Sequence, residues 1–275
     1  MNQIHKNDLK FKRKPVYGPI IWRRLALGVR IQDLLPNNFE IVVDIILKYY
    51  IKGNVIFNNS RILDDPISVQ SFTDRLYRVM KQCISLVAVD ERTDEIIGCL
   101  LITRVKQEDY GTEYNTLEIG DGKVYRKITE FLNDVNRTVD IFANFDTNVY
   151  LKYCNICITD DYRNNKIGFN MLSASFDLAR YLEMPVIMAI ADSYMLQKIL
   201  MKLGFKLLHE SDYRNWNDAT GELVFNETGS GNYTCSVLAC SVPQAPDPEP
   251  VVIERRESTH LSKEKSLPKK KKETK

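Results

Sequence analysis

The stretch between Val149 and Glu210 holds the residues whose order best suits chemistry. A strand-like run, Tyr150 to Ile158, enters the polar turn Asp160-Asp161. A helical pattern follows from Gly168 to Leu182, with Phe169, Leu172, Phe176 and Ala179 on one face. A polar turn feeding a helix N-terminus offers unsatisfied backbone N–H groups and the positive end of the helix dipole, which suits an anionic ligand. Pro185 to Ala189 reads as the next strand, and Asp192-Ser193 as an N-cap. Leu196, Ile199, Leu200 and Leu203 then give a helix stopped by Gly204, and a strand begins at Phe205. Cys154 and Cys157 form a C-x-x-C, but it lies inside a strand-like run with no second Cys or His pair at zinc spacing. Both read as buried thiols, and no metal site is expected. Taken alone, Asp64-Asp65-Pro66 is a turn signal.

The elements that must position these residues are legible to different degrees. Ile20 to Ala26 is short and β-like, and Asn37-Asn38 precede a helical stretch whose apolar positions Ile41, Ile45, Leu47, Tyr49 and Ile51 follow a 3.6 period only loosely. The runs Ile84 to Val89 and Ile96 to Ile102 bracket the polar segment from Asp90 to Glu95, which predicts an antiparallel hairpin. From Lys123 to Phe142 the set Val124, Ile128, Phe131, Val135, Val139 and Phe142 steps by three or four, which predicts one amphipathic helix.

With 275 residues, 44% hydrophobic and 27% charged, the chain can bury a substantial core and falls outside the disordered classes. Lys plus Arg at 38 against Asp plus Glu at 36 gives a net charge of +2, which excludes a bulk basic surface for nucleic acid. No run of eighteen apolar residues and no apolar leader core occurs, so no membrane partner is expected. The chain reads as intracellular, and on that reading the sequons at Asn58, Asn136, Asn226 and Asn232 carry no function. Three segments are expected: a flexible N-terminus over 1–19, one α+β (α/β) domain over 20–242, and a disordered Pro- and Lys-rich tail over 243–275. The run Lys269 to Lys272 makes nuclear import or a weak nucleic-acid contact the alternative to a plain cytoplasmic location.

Asp161-Tyr162-Arg163-Asn164-Asn165-Lys166-Ile167-Gly168, followed by Met171-Leu172, resembles the Arg-x-x-Gly-x-Gly pyrophosphate loop of the GNAT superfamily of acetyl-CoA-dependent N-acetyltransferases. Lys202-Leu203-Gly204-Phe205 is similar to that superfamily's later Lys-Leu-Gly-Phe turn. Three further segments resemble the insect arylalkylamine (dopamine) N-acetyltransferase-like branch: Asp64-Asp65-Pro66-Ile67, Ile96-Ile97-Gly98, and Asp212-Tyr213 through Gly221-Glu222-Leu223-Val224-Phe225. The likeness spans roughly Ile20 to Val242 and leaves the tail aside. It implies a mixed central sheet flanked by helices, with strands splayed around an acetyl-CoA site. It also implies direct acetyl transfer from acetyl-CoA, as co-substrate, to a small primary amine. On that implication the strand at Ile156 and Ile158 pairs with the pantetheine arm, Arg163, Asn164, Asn165, Lys166, Ile167 and Gly168 hold the pyrophosphate, Ser193 lies close by, and Asp65 is the general base.

The departures matter as much. Lys166 stands at the first loop glycine, where a positive φ adds about 1 to 2 kcal/mol for a residue with a Cβ, although its ammonium can pair with phosphate. Asp65 is one methylene shorter than the family's glutamate, which favours a base acting through water. The family's serines fall on Asp192 and Leu196 and its tyrosine acid on Leu200, so the resemblance assigns no proton donor to the thiolate. Two readings therefore stand beside the amine acetyltransferase: an acyl-CoA-binding protein without transfer activity, acting as a sensor or partner, and a protein-lysine acetyltransferase or nuclear protein. The acceptor pocket is expected from loops near Asp65, the Lys106 to Lys123 segment and the Trp216 hairpin.

Overall fold

A computed structural model describes residues 18–109, 120–218 and 220–244. The expectations for the N-terminus up to residue 17, for the tail from residue 245 on and for the Lys269 to Lys272 run lie outside the described residues. So does most of the Lys106 to Lys123 segment.

The strands are β1 (Ile21–Leu25), β2 (Val29–Asp33), β3 (Leu86–Asp90), β4 (Ile96–Lys106), β5 (Val149–Ile158), β6 (Val186–Ala191), β7 (Lys206–Asp212) and β8 (Thr234–Ser241). They form a single eight-stranded sheet in the order β1-β2-β3-β4-β5-β6-β8-β7. Every neighbouring pair is antiparallel except β5 and β6, which run parallel through a crossover helix. The helices are α1 (Phe39–Ile45), α2 (Ile51–Gly53), α3 (Val55–Asn59), α4 (Pro66–Met80), α5 (Lys123–Arg137), α6 (Ile141–Phe145), α7 (Ile167–Tyr181) and α8 (Tyr194–Lys202). Among the described residues no helix is long and apolar enough to cross a membrane.

Both faces of the central strands are covered. Val87, Val89, Cys99, Leu101 and Val105 join the cluster built on α1, α4 and α5, while Leu86, Ala88, Leu100 and Ile102 join the cluster built on α7. Two-sided burial is why β3 and β4 read as continuous apolar runs instead of alternating ones.

Three local features differ from the sequence expectations. The helix predicted to run from Lys123 to Phe142 ends at Arg137, and Asp140 starts α6 by accepting from the Ala143 N–H at 3.1 Å. That cap turns the chain while keeping Phe142 in the core, so the apolar spacing survives the break. Between α1 and α2 the residues Ile46–Tyr50 form a π-helical turn, which explains the loose period of that stretch. The strand β2 and the long helix α4 lie outside the sequence expectations, although the buried residues Phe72, Leu76, Val79 and Met80 of α4 recur at helical spacing.

In β5, Asn155 lies opposite Leu101 and Tyr153 opposite Ile102, so Cys154 is an inserted bulge residue. The extra residue changes the alternation: Leu151 and Tyr153 face the α7 side, and so do Ile156 and Ile158. The β5–β6 ladder covers only Leu151 to Tyr153 and stops where the bulge begins. Gly98 of β4 lies against the far end of β5, and a Cβ there falls 2.5 Å from Ile158 Cδ1 and 2.8 Å from the Cys157 carbonyl oxygen. Gly98→Ala is therefore expected to destabilise the fold by about 1–3 kcal/mol in urea denaturation, since backbone must move to admit the methyl. An unchanged midpoint contradicts this packing.

Candidate active site

Where β5 leaves β6 the sheet opens into a cavity of about 400 Å³. One wall is the free half of β5, from Cys154 to Ile158; the other comes from Ile190, Asp192 and the first turns of α8. The π turn supplies Tyr49 and Tyr50, α3 supplies Ile56 and Phe57, α4 supplies Phe72 and Arg75, and α5 supplies Tyr125 and Thr129. The lining is largely apolar and aromatic with a few converging polar groups, the usual make-up of a small-molecule site.

The backbone of β5 has a defined direction at this opening. Thr159 donates its N–H to the Ile97 carbonyl, so alternation along the strand turns the N–H and C=O groups of Ile158 and Ile156 away from β4, toward the cavity. Arg163 Nε donates to the Ile158 carbonyl at 3.2 Å, and its Nη2 reaches the Tyr49 carbonyl at 3.4 Å and Asp160 at 3.1 Å. Arg163 thus ties the loop after β5 to both the strand end and the π turn.

That loop enters α7 through two left-handed residues, Asn164 at φ 65° and Lys166 at φ 58°. Lys166 takes the positive φ that the family's glycine position demands and forms the N-cap of α7. No backbone acceptor among the described residues receives the N–H groups of residues 164–169, which form a row of free donors at the start of a 15-residue helix. Gly168 follows in the first turn. A Cβ built on it meets only Ile156 Cδ1 at 3.7 Å and Ile158 Cγ1 at 3.8 Å, ordinary contacts. Nothing in the protein's own packing requires a glycine there.

Asp65 stands at the start of α4. It is the N-cap of α4, its carboxylate accepting from Ile67 N–H at 3.2 Å, Ser68 N–H at 3.3 Å, Ser68 Oγ at 2.7 Å and Val124 N–H at 3.3 Å. The Ser68 hydroxyl above all, then these backbone donors, hold its carboxyl below the ordinary Asp value. It does not line the cavity. In this structure the Asp65 carboxylate clamps the starts of α4 and α5 together. Trp216 is also outside the cavity lining, donating its Nε1–H to Asp134 at 3.0 Å.

Asp192 is the carboxylate that the structure brings to the site. It follows β6 and precedes Ser193, whose hydroxyl caps α8 by accepting from Leu196 N–H at 3.5 Å. Asp192 Oδ2 accepts from Val55 N–H at 3.2 Å, and its main-chain carbonyl accepts from the buried Tyr213 hydroxyl at 2.7 Å. Burial pushes the Asp192 carboxyl up to about 6, against the opposing pull of its hydrogen bonds from Val55 and Ser193. Beside it, Tyr50 OH accepts from Asn54 Nδ2 at 2.7 Å and also bonds Asn155. Burial first, and then the charge of Asp192, raise the Tyr50 phenol well above the ordinary tyrosine value. Cys154 and Cys157 are both free thiols, and burial raises Cys157 to about 12.

No family model and no curated protein matches this chain in sequence. Solved structures match it in shape. The insect protein named arylalkylamine N-acetyltransferase 7, from the yellow fever mosquito Aedes aegypti, superposes with a TM-score of 0.73 at 19% identity, covering 82% of this chain and 96% of that one. Arylalkylamine N-acetyltransferase 2 from Aedes aegypti gives 0.70 at 15% identity, over 78% and 100% of the two chains. A Drosophila melanogaster polyamine N-acetyltransferase, an enzyme that forms N-acetylagmatine, gives 0.62 at 14%, over 78% and 99%. The chain has the GNAT fold. Its mixed sheet, the bulge in β5 and the opening between β5 and β6 are this chain's own version of the splayed arrangement that the sequence resemblance implies.

Two stability outcomes follow. Asp65→Ala removes a four-donor cap and is expected to lower the melting temperature by several degrees; no change contradicts the clamp. For Asp192 the folded carboxyl keeps its proton up to about 6, whereas the unfolded chain loses it near about 4. The folded state binds more protons between these values, so its stability falls as pH rises through that window. Asp192→Asn is expected to gain about 1–3 kcal/mol on the wild type between pH 4.5 and pH 7 in paired urea titrations. An equal difference at both pH values contradicts the burial.

Proposed function

We propose that this protein is an acetyl-CoA-dependent N-acetyltransferase that acts on a small primary amine, aromatic or otherwise arylalkylamine-like. The observation that carries the reading is the coincidence of three backbone features at one opening. The Ile156 and Ile158 edge faces the cavity, residues 164–169 present free N–H groups, and Gly168 leaves room that the protein itself does not fill. A pantetheine arm carries amide groups that pair with a strand edge, and a pyrophosphate needs a row of N–H donors at a helix start. In this reading Ile156 and Ile158 hold the arm, while residues Arg163, Asn164, Asn165, Lys166, Ile167 and Gly168 hold the pyrophosphate. Lys166 adds an ammonium at the loop. Ser193 orients the first turn of α8 beside the thioester. The aromatic wall of Tyr50, Phe57, Phe72 and Tyr125 suits the body of a small amine. The likeness in shape to amine acetyltransferases supports the same class of reaction.

The chemistry is direct. The amine nitrogen attacks the thioester carbonyl, N–H donors on the free β5 edge stabilise the developing oxyanion, and the thiolate departs without a covalent enzyme intermediate. The protein supplies orientation, exclusion of water and a proton acceptor.

Gly168→Ala separates a ligand site from a merely folded loop. Its methyl fits the protein's own contacts, so the melting temperature is expected to hold or rise slightly. Acetyl-CoA affinity by calorimetric titration is expected to fall about tenfold or more from a micromolar wild-type value, because the methyl takes the ligand's space. Equal affinity for wild type and variant contradicts the cradle. Binding by the wild type without thiol release on any of a panel of primary amines leaves an acyl-CoA-binding protein and overturns the transferase reading.

A further inference from the structure

Among the described residues, Asp192 is the one carboxylate that lines the cavity, and no histidine lines it. The other charged groups on the lining are the cations Arg75, Lys152 and Arg163. Asp192 forms no salt bridge among the described residues; its carboxylate is held by the backbone N–H groups of Val55 and of Asp192 itself and by the Ser193 hydroxyl. The titratable groups that sense its charge are Tyr50 from the π turn, Tyr213 after β7 and Cys235 in β8. Each is neutral at pH 7 and is driven further from ionisation by its surroundings. Arg75 on α4, Lys152, Cys154 and Cys157 on β5, and Arg163 after it complete the ionisable lining of the same space, together with Tyr49, Tyr125 and Tyr153. Asp192 is therefore a partly buried carboxylate at the splay whose cation is not supplied by a salt bridge of its own.

The position is rigid on three sides. Val55 N–H holds Oδ2, the Tyr213 hydroxyl holds the main-chain carbonyl, and Ser193 begins α8 immediately after. Tyr213 is fully buried against Phe131 and Phe225, so its hydroxyl is a fixed post. The late segment around Asp212-Tyr213 thus acts on the site through the backbone of Asp192.

We propose that Asp192 takes the proton from the acceptor amine. The inference rests on the transferase reading and assigns it a base other than Asp65. An alkylammonium supplies both the cation and the proton to be removed. One N–H proton passes to the Asp192 carboxylate, and the nitrogen lone pair then forms the C–N bond. The C–S bond breaks with its electron pair on sulfur, the second N–H proton leaves as the amide forms and neutralises the thiolate, and Asp192 returns its proton to water. A carboxyl titrating near the working pH is suited to this exchange.

The test uses the full chain with acetyl-CoA and, as acceptors, tyramine, dopamine and agmatine, following thiol release from pH 5 to 9. On the best acceptor, Asp192→Asn is expected to lower kcat/KM about 100-fold or more and to erase the acidic limb of the profile, with acetyl-CoA affinity kept within about twofold. Asp192→Glu is expected to restore part of the rate and the limb, which a purely structural role does not do. Wild-type turnover with full rate and limb in Asp192→Asn overturns the assignment and leaves the transferase reading standing. Loss of the limb in Asp65→Asn but not in Asp192→Asn overturns it likewise. Acetyl-CoA binding without turnover by the wild type removes the transferase reading and this inference together.

Discussion

A strand in the middle of a sheet satisfies its backbone on both edges, and β5 does so only as far as Tyr153. Beyond that point the bulge at Cys154 swings the strand out of register with β6, while the β4 side continues to Ile158. Ile156 and Ile158 are left with N–H and C=O groups facing an apolar cavity, where unpaired polar groups cost free energy. Arg163 answers one of them by donating to the Ile158 carbonyl. The remainder are the groups that, on the proposed function, pair with an extended molecule carrying its own amides.

The two walls of the opening carry charge of opposite sign where β5 and β6 end. The loop after β5 brings Arg163, Lys166 and the N-terminus of α7 to the β5 side, suited to an anion. Asp192 stands at the end of β6, among tyrosines, a cysteine and apolar side chains that leave it poorly solvated. The helices supply the scaffold for this separation. Asp65 clamps α4 to α5, Asn54 caps α3 by accepting from Ile56 and Phe57 N–H at 3.0 Å, and the same Asn54 side chain reaches Tyr50 in the π turn. Capping residues here do double service, fixing helix starts and setting the cavity wall.

Much of this was legible in the sequence where local chemistry decides local structure. The strand–turn–helix order from Tyr150 to Leu182, the hairpin over β3 and β4, the cap at Ser193 and the stop at Gly204 follow from apolar spacing and turn residues. The resemblance to GNAT enzymes pointed to the fold. What stayed hidden depends on distant partners. The Cys154 bulge is set by the register with β4, and Tyr50 reaches the cavity through a π turn whose only trace is a loosened period. Asp65 illustrates the limit of a motif: its spacing before Pro66 fits both a base and a cap, and the hydrogen bond from Val124 that ties it to α5 has no trace in that spacing. Asp192 read as a cap-adjacent departure from the family pattern until β6, α3 and Tyr213 placed it at the cavity.

On the proposed function, the free edge of β5 and the loop before α7 are the binding surface for acetyl-CoA. Amide hydrogen exchange on the full chain, with and without saturating acetyl-CoA, tests it most directly. New protection is expected at Ile156 and Ile158 and across residues 164–169, with the β1–β2 and β3–β4 hairpins little changed. Protection gathered elsewhere, or no change at these amides at saturating ligand, contradicts it.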